Sequence, residues 1–372
     1  MRNCLTIICV FFLVFMGCAS EERETVELPD GPQILTIAGT GEAGYAGDGG
    51  AAAEAQLDNP FGIVRGPAGA FFVCDVLNHV IRKITPDGII STVAGSGSQG
   101  YSGDGGSALE AELNEPYEIR FDIEGNMFFV ERLNHTVRRV MATDGTISTI
   151  AGTGEAGYSG DDGPALKAQL RQPHSIQLDG NGDLYICDIG NHRIRKVDMM
   201  TGTITTFAGT GEPGPTPDGA PLQGTPLNGP RAIDFDAEGN MWLALRQGNA
   251  VYKIDMETET LHHMAGTGEQ GFTGNGGPAT EATLSGPKGI SIGADKNVYL
   301  ADTESHSIRM IDVEKGTLEL VAGTGERGDG PEGDPLSCRM ARPHGIFVDR
   351  DGSIYIGDSE THRVRAIRRI LH

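Results

Sequence analysis

Short apolar segments separated by glycine turns dominate the pattern of this chain. In the region from 175 to 208, apolar runs cover 175–178, 184–188, 193–197 and 204–208, with turns at 179–182 and 201–202. Runs of this length, bounded by Gly, Asp and Asn, are typical of β-strands. The pattern therefore predicts units of four short strands.

The same pattern recurs at a fixed period. The tract Ala-Gly-Thr-Gly, or a close variant, begins at Ala38, Ala94, Ala151, Ala208, Ala265 and Ala322, a spacing of 56 or 57 residues. A repeat of this length, filled with four strands, is typical of one blade of a β-propeller. First strands are expected to begin near Gly62, Glu118, Ser175, Ala232, Gly289 and Gly345. The sequence thus predicts an all-β, six-bladed propeller with four-stranded blades.

The two ends of the repeat array are complementary. The first fourth-type strand, 33–38, precedes any complete blade, while the last blade ends after its third strand near Arg368. An N-terminal strand that completes the last blade would close the ring and protect both edges. We therefore expect the propeller domain to span 33–369.

The residues from Asp188 to Val197, Asp-Ile-Gly-Asn-His-Arg-Ile-Arg-Lys-Val, resemble the NHL repeat, named for its Asn-His-Leu tract. The glycine-rich connection that begins Ala-Gly-Thr-Gly is similar to that of bacterial envelope NHL proteins and teneurins. The resemblance implies a propeller but no single activity, because NHL proteins include ligand-binding modules, RNA-binding domains and lyases.

The connections between blades are about 22 residues long. Pro164 and the apolar residues that follow it predict one or two helical turns. The Gly-Asp-Gly segments are interpreted as turns, since they lack the ordered carboxylates of a calcium loop.

Positions occupied alike in every unit are assigned to the scaffold. A first-strand isoleucine recurs at Ile63, Ile119, Ile176, Ile233, Ile290 and Ile346, and a second-strand aromatic at Phe72, Phe128, Tyr185, Trp242, Tyr299 and Tyr355. A polar trio, Asp188, His192 and Arg195 in the third unit, recurs in five units; the fourth has Leu245, Asn249 and Tyr252. Joint loss of the trio predicts one hydrogen-bonded network per blade.

The N-terminus is expected to direct export. Residues 1–17 are interpreted as a signal peptide, because an apolar run from Leu5 to Met16 follows Arg2. Gly17-Cys18 resembles a lipoprotein cleavage box, which implies lipidation of Cys18, with cleavage near Ser20 as the alternative. Residues 18–32 would form an acidic tether. The expected location is the bacterial cell envelope, with outer-membrane anchoring favoured over a secreted or periplasmic form.

The net charge limits the possible partners of the protein, and the cysteine positions limit its possible disulfides. The net charge is −22, or −23 without a signal peptide that carries Arg2 (−22 minus +1). Such a surface repels phosphate backbones, so no nucleic-acid partner is expected. Cys74 and Cys187 occupy the same position in separate blades and Cys338 lies in a connection, so no disulfide is predicted. The propeller is expected to be monomeric.

Functional residues are expected at the positions where the repeats differ. The residue just before the first strand should lie at the mouth of the central channel, and it is Phe61, Tyr117, His174, Arg231, Lys288 and His344 in the six units. Glu118 is adjacent, and Arg120, Gln177, Asp234 and Ser291 lie two residues further along. The predicted ligand site comprises Tyr117, Glu118, Arg120, His174, Arg231, Asp234, Lys288 and His344.

Two catalytic interpretations rest on resemblance. His174 in Pro-His-Ser-Ile and His344 in Pro-His-Gly-Ile match a zinc-binding position of peptidyl-hydroxyglycine amidating lyase. A third histidine is missing, and Arg231 and Lys288 would repel a cation, so no metal or other cofactor is predicted. Gluconolactonase-like propellers use a carboxylate-rich calcium site, for which Glu118 and Asp234 are too few.

Three functions therefore remain open. The favoured one is an envelope-anchored binding module that presents rings such as Tyr45, Tyr101, Tyr158 and Phe272 to a carbohydrate, peptide or protein. The second is a lyase or hydrolase in which Arg231 and Lys288 hold an anionic substrate and His174 or His344 is the base. The third is a structural envelope protein without a small ligand.

Overall fold

A computed structural model describes residues 31–369 of the chain. The predicted signal peptide, Cys18 and the tether up to residue 30 lie outside the described residues. No helix in the described part is long and apolar enough to cross a membrane.

Six antiparallel sheets form the blades of a β-propeller, as predicted. Strands one to four are Pro60–Arg65, Phe71–Asp75, Val80–Ile84 and Ile90–Ala94 in blade 1, and Pro116–Phe121, Met127–Glu131, Thr136–Val140 and Ile147–Ala151 in blade 2. Blade 3 has Ser175–Leu178, Leu184–Asp188, Arg193–Asp198 and Thr203–Ala208, and blade 4 has Pro230–Phe235, Met241–Leu245, Ala250–Asp255 and Thr260–Ala265. Blade 5 has Pro287–Ile292, Val298–Asp302, Ser307–Asp312 and Thr317–Ala322, and blade 6 has Pro343–Val348, Ile354–Asp358, Arg363–Arg369 and, as its fourth strand, Pro32–Ala38.

The N-terminal strand closes the ring as expected. Pro32–Ala38 pairs antiparallel with Arg363–Arg369, with Ile34 opposite Ile367. Ile34 is completely buried among side chains of blades 5 and 6. The last blade is thus built from both ends of the described chain.

Three blades carry a fifth strand that the sequence did not predict. The two-residue strands Gly163–Pro164, Ala220–Pro221 and Gly277–Pro278 pair with the fourth strands of blades 3, 4 and 5. Proline cannot donate to a ladder, so these edge pairings stop after two residues.

Short 3-10 helices replace the predicted helical turns. They span Ala52–Glu54, Ala108–Glu110, Ala165–Lys167, Ala279–Glu281 and Pro335–Ser337 in the connections, and Pro67–Gly69, Val76–Asn78, Ile189–Asn191, Thr303–Ser305 and Ser359–Thr361 within blades. Each is a single turn, and its first residue in a connection, such as Ala165, is buried against the neighbouring blade.

The polar trio is organised differently from the single network that the sequence suggested. In blade 3 the buried Asp188 carboxylate pairs with Arg195 at 3.5 Å and accepts the Arg171 backbone N–H at 2.7 Å. His192 instead lies in the left-handed region, and its Nδ1 accepts the Gly229 N–H of the next blade at 3.3 Å. The acid and arginine therefore stabilise one blade, while the histidine joins two.

Blade 4 keeps the histidine's function although it lacks the histidine. Asn249 has the same left-handed backbone, and its Oδ1 accepts the Gly286 N–H at 2.9 Å. The expectation that blade 4 loses the whole arrangement was wrong in this respect, because a short amide reaches the same donor. Only the acid–arginine pair is replaced, by Leu245 and Tyr252.

The remaining scaffold positions follow the predicted pattern. The six first-strand isoleucines are buried, and Trp242 is 2% exposed with its Nε1 donating to Asp236 at 3.1 Å. The Gly-Asp turns serve the scaffold as well: Asp48 accepts from Arg82 at 2.7 Å. Cys74, Cys187 and Cys338 are buried free thiols.

Candidate functional site

A one-residue bulge positions the mouth side chain in every blade except blade 3, whose first strand pairs in regular register. In blade 4, Pro230 pairs with Leu245 and Ala232 with Ala244, so Arg231 is the extra residue between them. Blades 1, 2, 5 and 6 show a bulge at the same point, after a proline that starts the strand. Because a bulge redirects a side chain, it turns these residues towards the channel axis. It also explains why these strands begin two residues earlier than expected.

These residues line one cavity of about 320 Å³ at the channel mouth. All six predicted mouth residues contribute to it: Phe61, Tyr117, His174, Arg231, Lys288 and His344. The first strands of blades 6 and 1 pack closely here, since a Cβ atom added at Gly345 would lie 2.1 Å from the Phe61 carbonyl oxygen. The backbone therefore holds the neighbouring mouth residues Phe61 and His344 close together.

The other predicted site residues lie apart from this cavity. Glu118 pairs with Arg120 at 2.6 Å. Asp234 is half-buried, and accepts from Gln177 Nε2 at 2.7 Å and from the Ile292 N–H at 3.0 Å. These polar groups satisfy one another and tie blades 3, 4 and 5 together.

One wall of the pocket is aromatic. The rings of Phe61 and His344 stack with centroids 3.8 Å apart, and Tyr117 packs edge-on against Phe61 at 4.6 Å. His174 lies 4.9 Å from Tyr117 in a second edge-on contact. This wall is apolar in its faces and holds both histidines in fixed orientations.

The pocket lining carries cations but no carboxylate. Sequence comparison of the repeats did not indicate three of these cations, Arg132, Arg246 and Arg342, which lie outside the mouth position. Arg132 pairs with Glu115, while Arg342 pairs with Glu304 at 2.7 Å and Glu360 at 3.0 Å. None of these acids is among the lining residues, so the charged side chains that face the pocket are cations.

Arg231 differs from the other arginines of the pocket. Its side chain is 2% exposed, and its Nη1 has no hydrogen-bond partner within the described residues. No carboxylate of residues 31–369 forms an ion pair with it, and its guanidinium lies 5.6 Å from the Tyr117 ring. Burial lowers its pKa, but a guanidinium stays protonated in proteins. A buried cation without a counter-ion is costly, which sets Arg231 apart from the paired arginines of the pocket.

Lys288 forms a second cationic point. Its Nζ donates to Glu304 at 2.7 Å and contacts His344 Nε2 at 3.3 Å. Burial lowers the pKa of Lys288 to about 7, although Glu304 opposes the shift. Burial also opposes ionisation of Glu304, but hydrogen bonds from Arg342 and Lys288 lower the pKa of Glu304 to about 2. Lys288 is therefore the one residue of the pair that titrates near neutrality.

Both histidines are held neutral. Their Nδ1 atoms lie 2.6 Å and 2.8 Å from the carbonyl oxygens of Gln172 and Arg342, so Nδ1 carries the proton in each ring. Burial, and then the cations Arg231 and Lys288, lower the pKa of His174 and His344 well below the usual value. His344 Nε2 accepts from Lys288, which leaves His174 Nε2 as the free basic nitrogen.

The rings of the connections lie elsewhere. Tyr45 sits over Arg82 with the guanidinium 5.2 Å from the ring centroid, and its hydroxyl lies 2.8 Å from Thr92 of the fourth strand. Tyr101, Tyr158 and Phe272 occupy equivalent places over Arg138, Arg195 and Arg309. These half-exposed rings roof the buried arginines of separate blades and do not line the mouth pocket.

The fold and pocket define a class: a six-bladed propeller with a cationic, aromatic-walled mouth. Residues 170–197 and 340–367 match the family model for the NHL repeat. The chain therefore contains NHL repeats in blades 3 and 6. These stretches include the trios of blades 3 and 6.

Three similar proteins illustrate the range of this fold. SUPPRESSOR OF QUENCHING 1 of Arabidopsis thaliana is 28% identical over 289 residues, and the match covers 75% of this chain but 27% of that protein. An auxiliary nutrient binding protein from Bacteroides thetaiotaomicron has a TM-score of 0.67 at 17% identity, covering 91% of this chain and 77% of the other. Virginiamycin B lyase from Staphylococcus aureus has a TM-score of 0.54 at 17% identity, covering 91% and 99%. At these identities the two structural similarities show the shared fold alone.

Proposed function

We propose that this protein is a binding module that takes an anionic ligand in the mouth pocket of its propeller. The observation that carries the proposal is Arg231, a buried guanidinium without an acidic partner that lines the cavity. A ligand carboxylate, sulfate or phosphate would supply the missing acceptor in a bidentate contact. Lys288 and Arg246 would add to the attraction across the pocket.

The proposal includes attachment to the bacterial cell envelope. The sequence around Cys18 supports export and lipidation, and a propeller held on the tether 18–32 would present its mouth to ligands outside the cytoplasm. The nutrient-binding protein with a similar fold is compatible with this role. The cationic pocket favours an acidic peptide, an acidic carbohydrate or the acidic group of a protein.

The decisive variant is Arg231→Gln. Titration calorimetry with sulfate, and with acidic peptides and glycans selected on an array, is expected to show a ten- to hundredfold loss of affinity, since a hydrogen bond to a charged group contributes about 1.5–3 kcal/mol. Lys167→Gln removes the same charge from an exposed connection and is the matched control. The unliganded Arg231→Gln protein should melt at or above the wild-type temperature, because it loses an uncompensated buried charge. Equal affinities in the two variants would contradict the proposal.

Binding of sulfate is also expected to depend on pH. Lys288 is protonated below its pKa of about 7 and neutral above it, so affinity should fall several-fold between pH 6 and pH 8. Sulfate keeps its charge in this range, and Glu304 and both histidines do not titrate there. Lys288→Arg keeps the charge and should flatten the profile. A profile that is equally steep in this variant would show that another group is responsible.

A second function, a lyase or hydrolase, is favoured by one observation. His174 presents a neutral, unprotonated Nε2 in the same pocket as Arg231, so a base and an anion-binding cation coexist. Turnover that survives a chelator but is lost in His174→Ala would establish this function. Binding without turnover would leave the module as the better description, and the absence of any specific ligand would favour a structural role.

A further inference from the structure

Blade 4 contains a second cavity, of about 610 Å³, beside the mouth pocket. In blade 3 the equivalent volume holds Arg195, which pairs with Asp161 at 2.6 Å and lies beneath Tyr158. The matching residues of blade 4 are Tyr252, Asp218 and Pro215, and the inner acid is replaced by Leu245. Blade 4 thus lacks the arginine and the tyrosine ring that fill this volume in blade 3. We call the resulting space the blade-4 cavity.

The floor of the blade-4 cavity is apolar. Leu245, Ala250 and Tyr252 are each at most 6% exposed and line it. The Tyr252 hydroxyl donates to the Thr216 carbonyl oxygen at 2.5 Å, so the polar tip of this ring is already satisfied. Such a floor accepts an aliphatic or aromatic group, while the polar residues Asp218 and His263 also line the cavity.

The rim is polar and leads to the mouth. Asn228 and Gln247 line the blade-4 cavity, and neither side chain forms a hydrogen bond within residues 31–369. Gln247 also lines the mouth pocket, where its neighbour Arg246 is one of the cations. The two cavities therefore share Gln247, and an elongated ligand that reached from one to the other would pass this side chain.

We propose that the ligand is a peptide with a free C-terminal carboxylate. This inference rests on the proposed function and names its ligand class: the carboxylate binds Arg231, and a nearby apolar side chain fills the blade-4 cavity. A peptide fits better than a glycan, because an apolar peptide side chain buries no polar group on the floor of Leu245, Ala250 and Tyr252, whereas a sugar ring would bury hydroxyl groups that this floor cannot hydrogen-bond. The carboxamides of Asn228 and Gln247 match the donors and acceptors of peptide amides.

The test uses the internal repeat as its guide. The double variant Leu245→Asp/Tyr252→Arg restores the residues of the other blades and fills the blade-4 cavity with an ion pair that Asp218 can join. It should fold and melt like the wild type, which thermal unfolding will verify. Sulfate should bind equally well to both proteins, since the mouth is unchanged.

Short acetylated peptides, with leucine or alanine at each of the last three positions and either a free or an amidated C-terminus, are the probes for fluorescence polarisation competition. The wild type should prefer a leucine peptide to its alanine counterpart at one position by about tenfold or more, the effect of burying such a side chain. The double variant should lose this preference, and amidation should abolish tight binding to the wild type.

Each other outcome has a distinct meaning. If the leucine preference survives in the double variant, or amidated peptides bind as tightly, the inference is wrong while sulfate binding at Arg231 still supports the proposed function. If sulfate binds but no peptide does, the ligand is an anion of another class. If the wild type binds neither sulfate nor peptide, the proposed function and this inference both fail.

Discussion

A chain that starts at Gly39, and so lacks Pro32–Ala38, is expected to lose its cooperative fold. The deleted strand supplies the whole fourth strand of blade 6, and without it Arg363–Arg369 becomes an open edge. Ile34 is fully buried, and removal of such a side chain alone costs about 2–5 kcal/mol. Since whole domains are stable by only about 5–15 kcal/mol, loss of the strand should leave aggregated or partly unfolded protein.

Soluble yield, size-exclusion chromatography and thermal unfolding by circular dichroism measure this effect. A chain that starts at Gly31 retains every described strand and is the matched control, which should elute as a monomer and melt cooperatively. If the shorter chain melts within a few degrees of this control, closure of the ring by the N-terminal strand is not what stabilises the propeller.

The repeat period made the architecture predictable from sequence. Six tracts at a 56- or 57-residue spacing, together with a displaced first strand, predicted the blade number and the closure that the structure shows. The short edge strands such as Gly163–Pro164 were missed, because two residues in a connection carry no period of their own.

The residues of the channel mouth could be predicted from the repeat for the same reason, but their geometry could not. Alignment of the repeats brought Arg231, Lys288 and His344 to equivalent positions. The bulge that turns them inwards depends on pairing register, for which the only local signal is the preceding proline. The missing partner of Arg231 could not be read from sequence at all, since it depends on where Glu118 and Asp234 point.

Repetition also misled in one respect. Asp, His and Arg vary together across the blades, which suggested one network, yet His192 bonds the next blade while Asp188 and Arg195 pair within their own. Residues that recur together occupy equivalent positions in each blade, but they need not contact one another. Asn249 kept the bridging bond because only an acceptor on a left-handed residue is needed.

Arg82→Ala is expected to destabilise the propeller by about 3–5 kcal/mol. Arg82 is completely buried and pairs with the equally buried Asp75 at 3.2 Å, and it also donates to Asp48 and to the Gln56 carbonyl oxygen. Removal of the arginine leaves the Asp75 carboxylate buried without its counter-ion. The midpoint of guanidinium unfolding, compared with that of the wild type, measures the loss.

The double variant Asp75→Leu/Arg82→Tyr should recover most of that loss of stability, because it introduces the residue types that blade 4 has at the same positions, Leu245 and Tyr252. Tyr252 reaches the Thr216 carbonyl oxygen across 36 residues, the same separation that joins Arg82 to Ala46, so the new hydroxyl can take over that acceptor.

Burial raises the pKa of Asp75, and loss of Arg82 should raise it further. A carboxyl whose pKa is higher in the folded than in the unfolded state makes the folded protein less stable as pH rises. The loss of stability caused by Arg82→Ala should therefore be smaller at pH 5 than at pH 8. A double variant as unstable as Arg82→Ala at both pH values would show that the arginine stabilises the blade by packing rather than by neutralising the buried acid.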